Sequence, residues 1–230
     1  MKTPPRFPRI RKSRLRRAAR LIVPPVLIVW RDKVIAERVR RQELADEQSP
    51  FAGQGPLWTL LIGHTTEYAE WGMGKSTTHA VAAGCKRVVS VETSRQWLKT
   101  VEASIGRTDR FHPIHVDLGP VGAWGRPSSY RERANFDAYF DAPFRVGSKP
   151  ELLLIDGRFR VACWAQAMIS AEPQTLIIFD DYVGRGHYQV VEEISQPIAV
   201  AGRQAVFVRP PRPDVSALER LRDEFRHVMD

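Results

Sequence analysis

The residues best suited to chemistry are concentrated in one Gly-rich stretch, Glu70-Trp71-Gly72-Met73-Gly74-Lys75-Ser76-Thr77. It separates an apolar run from a helix-forming one, the turn at which nucleotide-like ligands meet a helix N-terminus. Carboxylates recur at the ends of later apolar runs: Glu92, Asp117, Asp156 and the pair Asp180-Asp181. A single acid in such a place is an ordinary helix N-cap. An acid at the end of every run points instead to a ligand-binding edge. His187 and Tyr188 follow a Gly184-Arg185-Gly186 turn just past Asp181. A histidine, with its pKa near ~6.5, can take a proton from a hydroxyl; a surface histidine at a helix start is the plainer alternative.

Three chemistries compete for the Gly-rich stretch. A phosphate loop reads G-x-x-x-x-G-K-[ST], and Gly74-Lys75-Ser76 supplies its end. Ala69 stands where its first glycine belongs, and Glu70 would repel phosphate. A dinucleotide fingerprint, G-x-G-x-x-G, fails at its third glycine, where Thr77 stands, although Glu92 lies at the distance of a ribose-binding acid. S-adenosylmethionine is the third. It has no phosphate, and its sulfonium and ammonium groups tolerate acids. Gly72 and Gly74 allow close backbone approach, while the helix opened by Ser76 and Thr77 offers N–H groups to the methionine carboxylate. Glu92 has the two oxygens that a ribose diol requires, and Asp117 can accept from the adenine amine.

Positioning such a set requires an alternation of strands and helices. Strands are expected over Thr66–Glu70, Arg87–Glu92, Phe111–Val116, Glu151–Asp156 and Thr175–Asp180, with helices at 75–83, 95–105, 129–140 and 160–171. Runs such as LLLID and TLIIFD are apolar without alternation, as in strands covered on both faces. The order predicts an α/β fold, a doubly wound and mostly parallel sheet, with residues 197–208 forming a C-terminal antiparallel hairpin.

The ordered set E-x-G-x-G-x-S-T, VVSVE-x-S-x-x-W, VDGRxRVAC-like IDGRFRVAC and FDDY…HYQVVEE resembles class I, Rossmann-like S-adenosylmethionine-dependent methyltransferases of the bacterial type, from about Thr66 to Val208. The resemblance implies the cofactor, held by Glu70, Gly72, Gly74, Ser76, Thr77, Glu92 and Asp117, and methyl transfer to a hydroxyl of a small molecule or glycan. It also implies a metal. Asp156 with Asp180 and Asp181 resembles the acid set of catechol-type O-methyltransferases, whose hard oxygen ligands suit Mg²⁺ or Mn²⁺. Asp156 and His187 are then the catalytic candidates. A loop-capping Asp156 and a helix-capping Asp181 form the competing reading. Two other functions stay open: a non-catalytic S-adenosylmethionine- or nucleotide-binding module, and a phosphate-loop nucleotide hydrolase using Gly74-Lys75-Ser76. Trp124, Tyr130, Tyr139 and Phe144, in the long stretch 118–148, are candidates to wall the acceptor site, and Trp97 to face the adenine.

Length and charge bound these readings. The 230 residues exceed the ~150 of a typical domain but suit one α/β domain with appendages. Two cysteines, Cys85 and Cys163, suit a reducing compartment, the cytoplasm. The formal charge of +9 is concentrated: residues 1–20 carry nine basic side chains and no acid. The rest balances, which argues against a nucleic-acid partner. Leu21–Trp30 is apolar, too short for the ~20 residues of a membrane span and broken by Pro24-Pro25. A basic and then apolar head suits an anionic membrane surface. The expected organisation is a tail at 1–30, a connecting helix and linker at 31–56, the cofactor-binding domain at 57–209, and a Pro-rich joint with a C-terminal helix at 210–230.

Overall fold

The structure is a computed structural model and describes residues 25–45 and 50–230; most of the basic head lies outside these residues. Helices α1 (Pro25–Ala45) and α2 (Pro56–Ile62) precede strand β1 (Glu67–Trp71). The chain then alternates: α3 (Lys75–Ala82), β2 (Arg87–Glu92), α4 (Arg95–Ile105), β3 (Phe111–His115), α5 (Phe136–Arg145), β4 (Leu152–Ile155), α6 (Arg160–Ser170) and β5 (Leu176–Phe179). Strands β6 (Ala199–Ala201) and β7 (Gln204–Val208) follow, and helix α7 (Val215–Phe225) is the last.

The seven strands form one sheet in the order β3-β2-β1-β4-β5-β7-β6. β1 to β5 run parallel, and β7 is antiparallel to both β5 and β6. The expected doubly wound sheet and C-terminal hairpin are therefore present. All four residues of β4 are buried, because both sheet faces are covered. Leu152 and Leu154 belong to a cluster with Trp58, Trp97 and Leu98; Leu153 and Ile155 belong to another, with Phe136, Tyr139 and Trp164. Each such large apolar side chain contributes ~1.5–3 kcal/mol by its burial. The chain winds outward from β1 to β3, then returns to pair β4 against the opposite edge of β1. That reversal opens a crevice at the strands' carboxyl ends.

Local chemistry sets the element ends. Ser94 caps α4 by accepting the Trp97 N–H at 3.3 Å, and Gly106, at φ 77°, ends it. Asp214 caps α7 through the Ala217 N–H at 3.0 Å. The helix expected at 129–140 is displaced: residues 133–135 form a single 3₁₀ turn and α5 runs from Phe136 to Arg145. The apolar stripe of Phe136, Tyr139 and Phe140 decides this by burying against the sheet and α6. Pro143 is tolerated inside α5 because the Tyr139 carbonyl, which its missing N–H leaves free, accepts the Trp71 indole N–H at 2.9 Å. The connecting helix also begins earlier than expected, at Pro25, since a proline needs no N–H at the first helical position. Residues 54–58 join the domain rather than linking to it: Gln54 O accepts the Arg203 N–H at 3.1 Å and Trp58 N–H reaches Gln204 at 3.1 Å.

Gly72 is the tightest point of the β1–α3 loop. It has φ +100°, and a Cβ there would lie 2.8 Å from the backbone of Asp156 and Gly157. Gly72→Ala should therefore lower stability by about 1–3 kcal/mol, read as a fall in Tm of several degrees. An unchanged Tm would show that the two loops do not meet as described.

Candidate functional site

A cavity of about 580 Å³ opens at the carboxyl ends of β1, β2, β4 and β5. The β1–α3 loop lines it with Gly72, Met73, Gly74 and Ser76, β2 with Glu92, and the loops after β4 and β5 with Asp156 and Asp181. All of these but Met73 are site candidates singled out by type and spacing, and one crevice collects the six. Three residues, Gly72 to Gly74, connect β1 to α3. That is shorter than the glycine-to-glycine run with which a phosphate loop wraps its ligand, so the loop lacks the backbone for a phosphate cradle.

Glu70 lies beneath this loop, fully buried and outside the cavity lining. Its Oε2 accepts from the Tyr68 hydroxyl at 2.7 Å and from Ser76 at 2.6 Å; its Oε1 accepts from Ser90 at 2.8 Å and from Thr77. Burial pushes its pKa up to about 7, despite the hydroxyls, which favour the charged form. Thr77 in turn holds the Gly74 N–H at 2.9 Å. Glu70 and Thr77 therefore shape the loop from behind. The expected direct contact of Glu70 with the cofactor is corrected: its acceptor positions are filled by hydroxyls.

Glu92 occupies one end of the cavity. Its Oε1 accepts the N–H groups of Thr93 and Ser94, each at 2.8 Å, and its Oε2 pairs with Arg40 Nη2 at 2.7 Å. Arg40 reaches over from α1, which packs on the turn at Ala123–Gly125. Its guanidinium lies 4.1 Å from the Trp97 ring centre and also donates to Met73 O at 3.0 Å. Trp97 is buried, with its N–H on Met73 O at 2.8 Å. Of the candidate aromatic walls, Trp124 and Tyr139 line the cavity. Tyr130 instead bonds His227 O, and Phe144 packs edge-on against Trp71.

At the other end Asp156, Asp180 and Asp181 do converge, with ligand oxygens within 4.8 Å of one another. Guanidinium groups are already seated among them. Arg160 pairs with Asp156 at 3.0 Å, Arg185 with Asp181 at 2.6 Å, and Arg203 with Asp180 at 2.5 Å. Arg160 is buried and also donates to the backbone carbonyls of Gly157, Asp156 and Asp180. Burial opposes its charge, yet Asp156, Asp181 and Asp180 hold its pKa above the ordinary value. Burial, with the neighbouring Asp156, raises the pKa of Asp180. A divalent ion would face this buried, hydrogen-bonded cation and would have to displace Arg185 and Arg203. The residues do not fit the expected Mg²⁺ or Mn²⁺. Titration of either ion into the protein should accordingly give no saturable binding heat; a one-to-one isotherm abolished by Asp181→Asn would reverse this.

Two further candidates lie away from the cavity. Asp117 is exposed two residues past β3, where its Oδ1 accepts the Gly119 N–H at 2.9 Å. In this structure it closes a turn and does not line the cavity. His187 is exposed, 3.9 Å from Asp230 Oδ2, and does not line the cavity. The 3₁₀ segment Gly186–Glu193 instead turns Tyr188 inward, buried against Phe179. Conversely, Arg40, Arg158, Arg160, Arg185 and Arg203 all line the cavity, though neither type nor spacing marks them as a group. Among the described residues, no helix is long and apolar enough to cross a membrane. Cys85 and Cys163 are free and buried.

No protein-family model matches the chain, and neither does any curated protein. Solved structures do. A methyltransferase-like protein from Silicibacter pomeroyi DSS-3 is 29% identical, with a TM-score of 0.65 over 80% of this chain and 97% of that one. Cofactor-bound Rv0187 from MTB, 18% identical, gives a TM-score of 0.51 over 78% of this chain and 90% of its own, a likeness of fold alone. The fold is the class I methyltransferase fold.

Proposed function

We propose that this chain is an S-adenosylmethionine-dependent methyltransferase that acts on an oxygen of a small molecule. The observation that carries the reading is the cavity itself, which joins the Gly72–Gly74 loop and Glu92 at one end to Asp156 at the other. The likeness to a methyltransferase-like protein supports it. So does the fit of the cofactor to these residues. A Cβ at Gly74 would meet nothing within 4 Å, so the loop borders open space, and the N-terminus of α3 faces it with Ser76. Glu92 is the cavity carboxylate that a ribose diol would reach, sharing or displacing Arg40, and α3 offers N–H groups to the methionine carboxylate.

When bound, S-adenosylmethionine supplies an electrophilic methyl group whose C–S electron pair stays on sulfur as the acceptor oxygen forms its bond to carbon. The chain's own part is to place that oxygen and receive its proton. Among the cavity's carboxylate oxygens, Asp156 Oδ2 has no partner among the described residues, while Oδ1 is fixed by Arg160. Asp156 is thus oriented by one oxygen and open at the other, and we assign it the acceptor's proton. His187, outside the cavity, takes no part. Ultraviolet irradiation with methyl-labelled S-adenosylmethionine should label the chain, and S-adenosylhomocysteine should suppress the labelling. Labelling that ATP suppresses and S-adenosylhomocysteine does not would defeat the proposal in favour of a nucleotide site.

A further inference from the structure

We infer that the outer face of α1, together with the basic head that precedes it, docks on the surface of an anionic phospholipid bilayer; the inference does not depend on the reaction in the cavity. At about 3.6 residues per turn, Arg31, Val34, Ile35, Arg38, Val39 and Arg41 lie on one side of α1, and all six are exposed. Val34 is 40% exposed, Ile35 53% and Val39 38%. Single exposed apolar residues are ordinary, but three within two turns of one helix form a patch. Arg38 and Arg41 make no ion pair among the described residues, and Asp32, the acid beside this face, is paired with Arg31 at 2.9 Å. The inner face differs. Ala36 is buried, and Arg40, one turn further on, reaches Glu92 at 2.7 Å and Met73 O at 3.0 Å. One side of α1 thus holds the helix to the domain, and the other presents arginines interleaved with β-branched apolar side chains.

A face kept in water needs no valine or isoleucine, and a face packed on protein does not interleave them with unpaired arginines. The boundary between lipid headgroups and acyl chains takes both. Guanidiniums pair with phosphates there, while their stems and aliphatic neighbours lie against the apolar layer. The sequence before α1 carries the complementary charge: residues 1–20 hold nine basic side chains and no acid. Basic charge and apolar contact bind weakly when separate and stably when joined. The bases and acids of the remaining chain balance, so the attraction is directed to this end of the molecule. Nucleic acid would use the charges and leave the apolar side chains idle, and that difference separates the two polyanions. Because a helix is about 10–12 Å across, docking on α1 holds the Glu92 end of the cavity close to the bilayer.

The full chain is to be sedimented with vesicles of phosphatidylcholine alone and of phosphatidylcholine with one third phosphatidylserine. Binding to the anionic vesicles should be at least about tenfold tighter and should weaken as sodium chloride is raised. Arg38→Gln combined with Arg41→Gln should weaken it about tenfold. Ile35→Asn combined with Val39→Asn should weaken it about fivefold or more and leave its salt dependence unchanged. Leu60→Asn, which alters an equally exposed apolar residue on α2, should match wild type. All these side chains are exposed, so a wild-type Tm is expected throughout; if one pair failed to fold, the other would decide. Equal binding to the two kinds of vesicle overturns the inference. So does anionic binding that the α1 variants leave intact, since residues 1–20 would then act alone. Duplex DNA that binds wild type and the Ile35→Asn, Val39→Asn protein equally, and displaces both from the vesicles, would overturn the lipid reading in favour of nucleic acid.

Discussion

Glu92→Ala is expected to weaken S-adenosylhomocysteine binding by about 10- to 150-fold, the range for deleting hydrogen bonds to a buried charged group. The effect is tied to a competition visible at this carboxylate. Oε1 is engaged by two backbone N–H groups, and Oε2 by Arg40 at 2.7 Å. A ribose diol brings two donors to the same carboxylate, so it must share or displace Arg40. Arg40→Ala should then tighten binding roughly fivefold, the size of a ~1 kcal/mol ion pair. In the Glu92→Ala background, removal of Arg40 should change nothing. Calorimetry on the four proteins of this double-mutant cycle checks all three statements. If Arg40→Ala weakened binding in the wild-type background, Arg40 would be part of the cofactor's own contact surface instead.

The second large effect is on stability against pH. Glu70 is fully buried and its pKa rises from an ordinary 4.5 to about 7. A carboxyl with a higher pKa folded than unfolded binds its proton more tightly in the native state. Its contribution is fully present below pH 4.5 and is lost as the pH climbs through 7. The separation corresponds to about 3 kcal/mol. In urea unfolding, wild type should lose about that much more stability than Glu70→Gln between pH 4.5 and pH 8. Asp180, also raised by burial, acts in the same direction but is common to both proteins and cancels in the comparison. Equal losses in the two proteins would mean that Glu70 is ionised in the native state. Burial thus works against a charge on Glu70, which organises the loop through its bonds to the hydroxyls of Ser76 and Thr77.

Much of this arrangement is legible in the residues alone, for a definite reason. Unbroken apolar runs mark strands buried on both faces, and an acid stands at or just past the end of each run; parallel winding then brings those ends to one edge. Gly72, Gly74, Ser76, Glu92, Asp156 and Asp181 meet in one cavity by that logic. Asp117 departs from it because β3 ends at His115 and the chain turns at once, leaving a carboxylate that closes its own turn. His187 departs because nearness in sequence to Asp181 does not reveal which way a 3₁₀ segment faces, and Tyr188 took the inward position. Arg40 gives no local signal. It sits between Arg38 and Arg41 on a charge-dense helix, fifty-two positions from its partner Glu92. The acid cluster reads from its residue types as a metal site, and in the structure guanidinium groups pair with it. Arg185 comes from a glycine turn and Arg203 from the β6–β7 turn, and only the folded chain brings them to Asp181 and Asp180.

The central claim is that the cavity takes S-adenosylmethionine and not a nucleoside phosphate. Isothermal calorimetry of the protein with S-adenosylhomocysteine, and separately with ATP and Mg²⁺, addresses it most directly. The account predicts saturable one-to-one binding of S-adenosylhomocysteine and no measurable heat from ATP. Saturable binding of ATP with Mg²⁺, and none of S-adenosylhomocysteine, would contradict it.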